Sequence, residues 1–185
     1  RQTLFRQRRL PHAFAHHVQR IADDTLVELT RLLLELAPTL LPELLRGLPH
    51  SRRAALFATA TTGRELDLVC WPLELLDCLP CRLRDREAAR MLDLERASAD
   101  AAWRCELLAR RYVETSRAEL EALAQSNQPE ERGRAYAALV HATGRSRAGM
   151  ASTLRYLQRL TNEPDPVRMA AILALARVPA RLFDD

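Results

Sequence analysis

Apolar residues in this chain recur at intervals of three and four, in short runs, and most runs are closed by a proline, a glycine or an asparagine. That is the period of a helix with one buried face, repeated many times. The C-terminal run is the clearest. Val167, Ala171, Ala174, Leu175 and Val178 fall on one stripe, with Asp165 and Pro166 before it and Pro179 after it. Composition agrees. Leu (34), Ala (29) and Arg (28) dominate the 185 residues, while Val and Ile together give 9 and Gly gives 5. A β-sandwich, a parallel-sheet enzyme or a glycine-rich nucleotide fold needs more β-branched strands or more permissive turns. At 48% hydrophobic and 28% charged residues, the chain is not a disordered tail either. The expected fold class is all-α.

Local signals divide the chain further. Thr25 and Glu28 have capping-box spacing at a joint near Asp23–Asp24, and Pro38 and Pro42 interrupt the helical pattern beyond Leu36. Ser51 is read as the N-cap of a helix through Thr61, stopped by Gly63. Pro72 predicts a kink or restart within 65–79. Asp85 is expected to cap a helix from Arg86, and Ser98 to begin another. Ser116 with Glu119 forms a second capping-box pair. Pro129 suits a first helical position, Gly144 a stop, and Ser146 and Asp165 two more caps. The result is about nine or ten helices of roughly 10–16 residues joined by short turns.

Charge and cysteine narrow the class. Every cation is arginine, which reads as the mark of a GC-rich, bacterial genome. Residues 1–22 carry five Arg and no acid, residues 23–80 five Arg against nine acids, and residues 81–185 18 Arg against 15 acids, so the body beyond the arm is nearly balanced as a whole. The segment 1–12 is therefore read as a basic arm or the end of a preceding helix, and 13–183 as one helical-repeat domain. The first residue is Arg1, which suggests a fragment of a longer chain. No stretch approaches the roughly 18 uninterrupted apolar residues of a membrane-spanning helix, so no membrane partner is expected. Cys70, Cys78, Cys81 and Cys105 lie in apolar surroundings and read as buried thiols of a reducing, cytoplasmic compartment.

Small-residue pairs recur at Ala54–Ala55, Ala88–Ala89, Ala137–Ala138 and Ala170–Ala171, with gaps of 34, 49 and 33 residues. Small residues let helices approach closely, so hairpins at this period can share a continuous core. Asn162-Glu163-Pro164-Asp165-Pro166-Val167-Arg168, followed by Ala170, Ala171 and Leu175, resembles the turn and second helix of a HEAT repeat; the unit spans 146–178. Asp85, Arg86, Ala88 and Ala89 keep part of that pattern. The resemblance implies an α-solenoid of antiparallel helix hairpins, with tetratricopeptide-like hairpins as the alternative. It also implies an Asp–Arg ladder between neighbouring repeats, with Asp85, Arg86, Asp165 and Arg168 in the ladder positions.

Catalytic chemistry is not legible. Glycine-rich phosphate loops and a nucleophile-elbow motif are missing from the sequence, and without lysine there is no Walker lysine. Cys78-Leu79-Pro80-Cys81 is half a zinc site, and Cys78 falls at an expected helix C-terminus, which does not lower a thiol pKa. His12, His16 and His17 lack the glutamate of a zinc hydrolase helix and read as part of the exposed arm. Trp71 near Glu74 and Asp77 has the aromatic-plus-acid look of a base-excision site, but Trp at helical spacing reads as core. Glu106 with Arg110 reads as a solvated helix edge.

The expectation is a non-enzymatic interaction scaffold, without cofactor or metal and with no small-molecule substrate indicated. Its partner would be a protein segment or another domain of the same chain. The alternative is nucleic-acid binding through an arginine-lined face. Arg52, Arg53, Arg132, Arg134 and Arg168 fall at comparable places in successive units and are the candidate contacts for either partner.

Overall fold

The computed structural model describes residues 17–94 and 99–183. Among the described residues there are ten α-helices, four short 3-10 turns and no strand. The all-α expectation holds. No helix among the described residues is long and apolar enough to cross a membrane. Contacts divide the chain into two compact units, with the division between Arg84 and Asp85.

The first unit holds α1 (Asp23–Leu36), α2 (Leu41–Arg46), α3 (His50–Thr61) and α4 (Leu73–Cys78). Helix α1 packs on α3, and α2 on α4. Pro38 heads a 3-10 turn and Pro42 sits in the first turn of α2, where a missing N–H removes no helical hydrogen bond. The restart foreseen at Pro72 is present, since α4 begins at Leu73. The core gathers Leu26, Leu41, Leu44, Leu45, Phe57, Leu75 and Leu76. Trp71 is buried with them, its ring edge-on to Phe57 at 5.6 Å and 74°.

Helix α5 (Cys81–Leu92) carries the boundary. The second unit adds α6 (Ala101–Leu108), α7 (Val113–Leu123), α8 (Pro129–Ser146), α9 (Met150–Leu157) and α10 (Asp165–Leu175). Helix α8 is its centre. It packs against α6, α7, α9 and α10. Small residues allow the closest approach. A Cβ placed on Gly133 would meet the Ala170 Cβ at 3.4 Å, and one on Gly144 would meet Val178 at the same distance.

Several caps differ from the local reading. Thr25 and Ser51 lie inside their helices, which start after Ala22 and Pro49 without a side-chain cap. Asp85 lies within α5, because that helix begins four residues earlier; its carboxylate accepts the Tyr112 N–H (2.9 Å) at the head of α7. Ser116 is also internal, and its hydroxyl donates back to the Tyr112 carbonyl. Gly144 does not stop α8, which runs to Ser146 and ends with Arg147 in the left-handed region (φ 54°). Ser146 does not cap α9. Its hydroxyl accepts the Val113 N–H at 2.8 Å, so both donors at the start of α7 are satisfied from other helices. Asp165 is the first residue of α10, after the N-cap Pro164. Ser98 lies outside the described residues; the cap found at α6 is Asp100, which accepts from the Ala102 and Trp103 N–H groups.

Candidate interaction groove

The expected contact arginines have separate fates. Arg52 donates to the carbonyls of Gln19 (2.8 Å) and Ile21 (3.1 Å) and pairs with Asp23. Arg53 donates to the carbonyls of Leu48 (2.7 Å), Cys78 (3.3 Å) and Arg46 (3.3 Å). It thereby supplies donors to the ends of two short helices whose last carbonyls lack helical partners. Arg132 holds Glu163 through Nε at 2.9 and 3.1 Å and the Ser126 carbonyl at 2.9 Å. Arg168 pairs with Asp165 on its own helix and on the surface. Arg134 is exposed and makes no hydrogen bond or ion pair among the described residues.

The ladder positions are likewise distributed. Asp165 and Arg168 join one turn to the next within α10, and Arg86 pairs with the neighbouring Glu87. Asp85 engages Arg111 (3.4 Å) as well as the Tyr112 N–H. The ion pair between α8 and the turn before α10 is instead Arg132–Glu163.

Around α8 the side chains leave a run of depressions open to solvent. One of about 320 Å³ lies between α6 and α8, lined by Trp103, Cys105, Glu106, Arg134, Ala137 and His141. The next, about 490 Å³, shares Glu106 and His141 and adds Arg110, Arg145, Arg177 and Val178. A third, about 540 Å³, shares Arg134 and Ala137 and reaches Pro164 and Ala170 on the α10 side. Along α8 the lining residues Arg134, Ala137, His141 and Arg145 recur at three and four, which is one helix face. Alanines and Gly133 keep the floor low, and arginines stand at its edges.

The groove carries charges of both signs, Arg110, Arg134, Arg145 and Arg177 against Asp100, Glu106 and Glu130. Arg110 is buried rather than solvated, against expectation, and reaches both the Glu106 carboxylate (2.7 Å) and its carbonyl (2.9 Å). Arg145 donates to the Ala109 carbonyl at 3.0 Å. Arg177 is exposed and, like Arg134, has no hydrogen bond or ion pair among the described residues. Burial holds the His141 imidazole below its ordinary pKa of 6.5, and Arg145 adds to this. Burial also pushes the Cys105 thiol up to about 11, so it stays protonated at neutral pH.

The remaining sequence candidates lie apart. Cys78 is buried at the end of α4, its thiol toward the Pro42 carbonyl, while Cys81 is exposed at the start of α5. No group of three metal-ligating side chains occurs among the described residues. His17 is exposed; His12, His16 and the arm arginines Arg1, Arg6, Arg8 and Arg9 lie outside the described residues. Of the groove's lining, only Arg134 is singled out as a contact by sequence. Arg145 and Arg177 escape that reading because nothing local distinguishes them from the other arginines. Comparison of the chain with family models, curated proteins and solved structures finds no match in any of the three.

Proposed function

We propose that this chain is a non-enzymatic interaction scaffold built of HEAT-like stacked hairpins, and that the groove along α8 receives an extended, acidic segment of a protein or of a neighbouring domain. The observation that carries the reading is the pairing of a low alanine floor with Arg134 and Arg177, two exposed guanidinium groups that have no intramolecular partner among the described residues. A low floor admits a backbone, and arginine forks recognise carboxylates bidentately. Stacking is supported by the order of contacts. Helix α8 meets α6 and α10, its neighbours but one, and α7 meets α9 through Arg117 to Thr153 (2.7 Å) and Tyr156 to the Glu121 carbonyl (3.0 Å). Alternation of this kind belongs to stacked hairpins, which present one face to a partner. The nucleic-acid reading has less behind it, because Arg52, Arg53 and Arg132 are engaged with carbonyls and carboxylates of the chain itself.

The test is a peptide-display selection on the intact chain, followed by fluorescence anisotropy with the selected peptide and with a single-stranded oligonucleotide. The expected peptide is Glu/Asp-rich, and Arg134→Glu with Arg177→Glu weakens it at least about tenfold. Peptide affinity indifferent to both changes refutes the groove. An oligonucleotide that binds more tightly, with a steep loss in salt, points to the alternative reading.

A further inference from the structure

Positive charge is not spread evenly over the groove. The depression between α6 and α8 sets Arg134 against Asp100 and Glu106, and the one toward α10 sets Arg134 against Glu130. The depression of about 490 Å³ at the C-terminal end of α8 gathers Arg110, Arg145 and Arg177 against Glu106 alone. Glu106 faces Arg110, accepting from its Nη1 at 2.7 Å. Arg177 is exposed and has no intramolecular partner among the described residues.

These groups come from three places in the fold. Arg110 follows the last turn of α6 and is 6% exposed, so packing fixes its position. His141 and Arg145 stand one turn apart on α8, and Arg177 follows α10. Their fields meet at the half-buried His141 imidazole. Burial is the largest effect on it; Arg145, Arg177 and Arg110 also disfavour its protonation, and Glu106 favours it. An anion seated there shifts this balance, because a negative charge beside an imidazole favours the protonated form. His141 then becomes a further donor to the anion.

We propose that this recess binds a phosphate monoester, carried either by a phosphorylated side chain of the docked segment or by a free small molecule. Near neutral pH a monoester carries roughly −1.5 to −2 charges and three strong acceptor oxygens. That matches a lining with three arginines and one acid better than the single charge of a carboxylate or a phosphodiester. Guanidinium forks suit its oxygens, and Arg177 has its donors available. The segment-borne source rests on the groove reading above; the recess itself and the free-molecule source do not.

Calorimetry on the full chain, with the histidine signals followed by NMR, tests this with inorganic phosphate, capped phosphoserine and dimethyl phosphate. The first two should bind at about 1 mM or tighter, and dimethyl phosphate at least about tenfold more weakly. Arg177→Gln should weaken phosphate at least about tenfold, whereas Arg155→Gln, the same charge change on the exposed side of α9, should not. The imidazole signal missing from His141→Gln should titrate at higher pH once phosphate is bound. Capped phosphoserine binding more tightly than inorganic phosphate assigns the ligand to a segment; the reverse order assigns it to a free molecule. An acidic peptide that binds while phosphate does not overturns the recess alone, and phosphate that binds while no acidic peptide does removes the segment alone. The proposal also fails if Arg177→Gln binds like Arg155→Gln, or if dimethyl phosphate binds as tightly as phosphate. It fails as well if phosphate binds only when Asp184→Asn and Asp185→Asn are both present, since the chain's own carboxylates are then the occupants.

Discussion

The hydroxyl oxygens of Thr143 on α8 and Thr153 on α9 lie 2.8 Å apart, both fully buried. Thr143 donates to the Leu139 carbonyl (2.8 Å), so it accepts from Thr153, which in turn accepts from Arg117 of α7 (2.7 Å). The relay ties three helices together, and each member depends on the next. Thr153→Val should cost about 1–2 kcal/mol and Thr143→Val about 1 kcal/mol, because each leaves a buried polar group short of a partner. The double variant should cost less than the sum by about 0.5–1.5 kcal/mol. Urea unfolding of the four proteins measures this, and strict additivity would show that the hydroxyls act independently.

Gly133 faces Ala170 at contact distance, not in overlap. Gly133→Ala should therefore be neutral or stabilise by up to about 1 kcal/mol, through helix propensity. Gly133→Leu should destabilise by about 1–3 kcal/mol by forcing α10 away from α8. Thermal melts distinguish the two; a destabilising alanine would mean that the helices leave no room for a methyl group between them.

His141 is held below its ordinary pKa, so the unfolded chain binds its proton more readily than the folded one. Its contribution is fully present above pH 6.5 and is lost as pH falls from there through the folded pKa. The difference in urea midpoint between wild type and His141→Gln should be constant above about pH 7 and shift against the wild type toward about pH 5. A difference independent of pH would sink this assignment.

The four thiols should react in order of exposure. Cys81 is exposed and Cys70 half-buried, whereas Cys78 and Cys105 are buried with raised pKa values. An aromatic disulfide reagent should label Cys81 fast, Cys70 more slowly, and the other two only on unfolding. Early labelling of Cys105, read by peptide mass mapping, would contradict its place in the second unit.

Much of the fold was legible. Proline marked the head of α8 and the restart at α4, since a missing N–H acts on its own turn whatever the rest of the chain does. Capping was less legible. Asp85 and Ser146 have the chemistry of N-cap residues, yet both serve α7, 27 and 33 residues away. Gly144 has the chemistry of a helix stop, but it lies inside α8 and faces Val178 at contact distance. The groove was least legible of all: the sequence singles out Arg52, Arg132 and Arg134 alike and passes over Arg177, because nothing local separates an engaged guanidinium from a free one.

The sequence by itself determined that the chain is helical, and nearly where each helix lies, because periodicity and proline chemistry operate within a few residues. Only the tertiary structure decided which carbonyl or carboxylate each arginine reaches and which arginines are left facing the groove. Those partners are up to 36 residues apart, and packing alone brings them within hydrogen-bond distance.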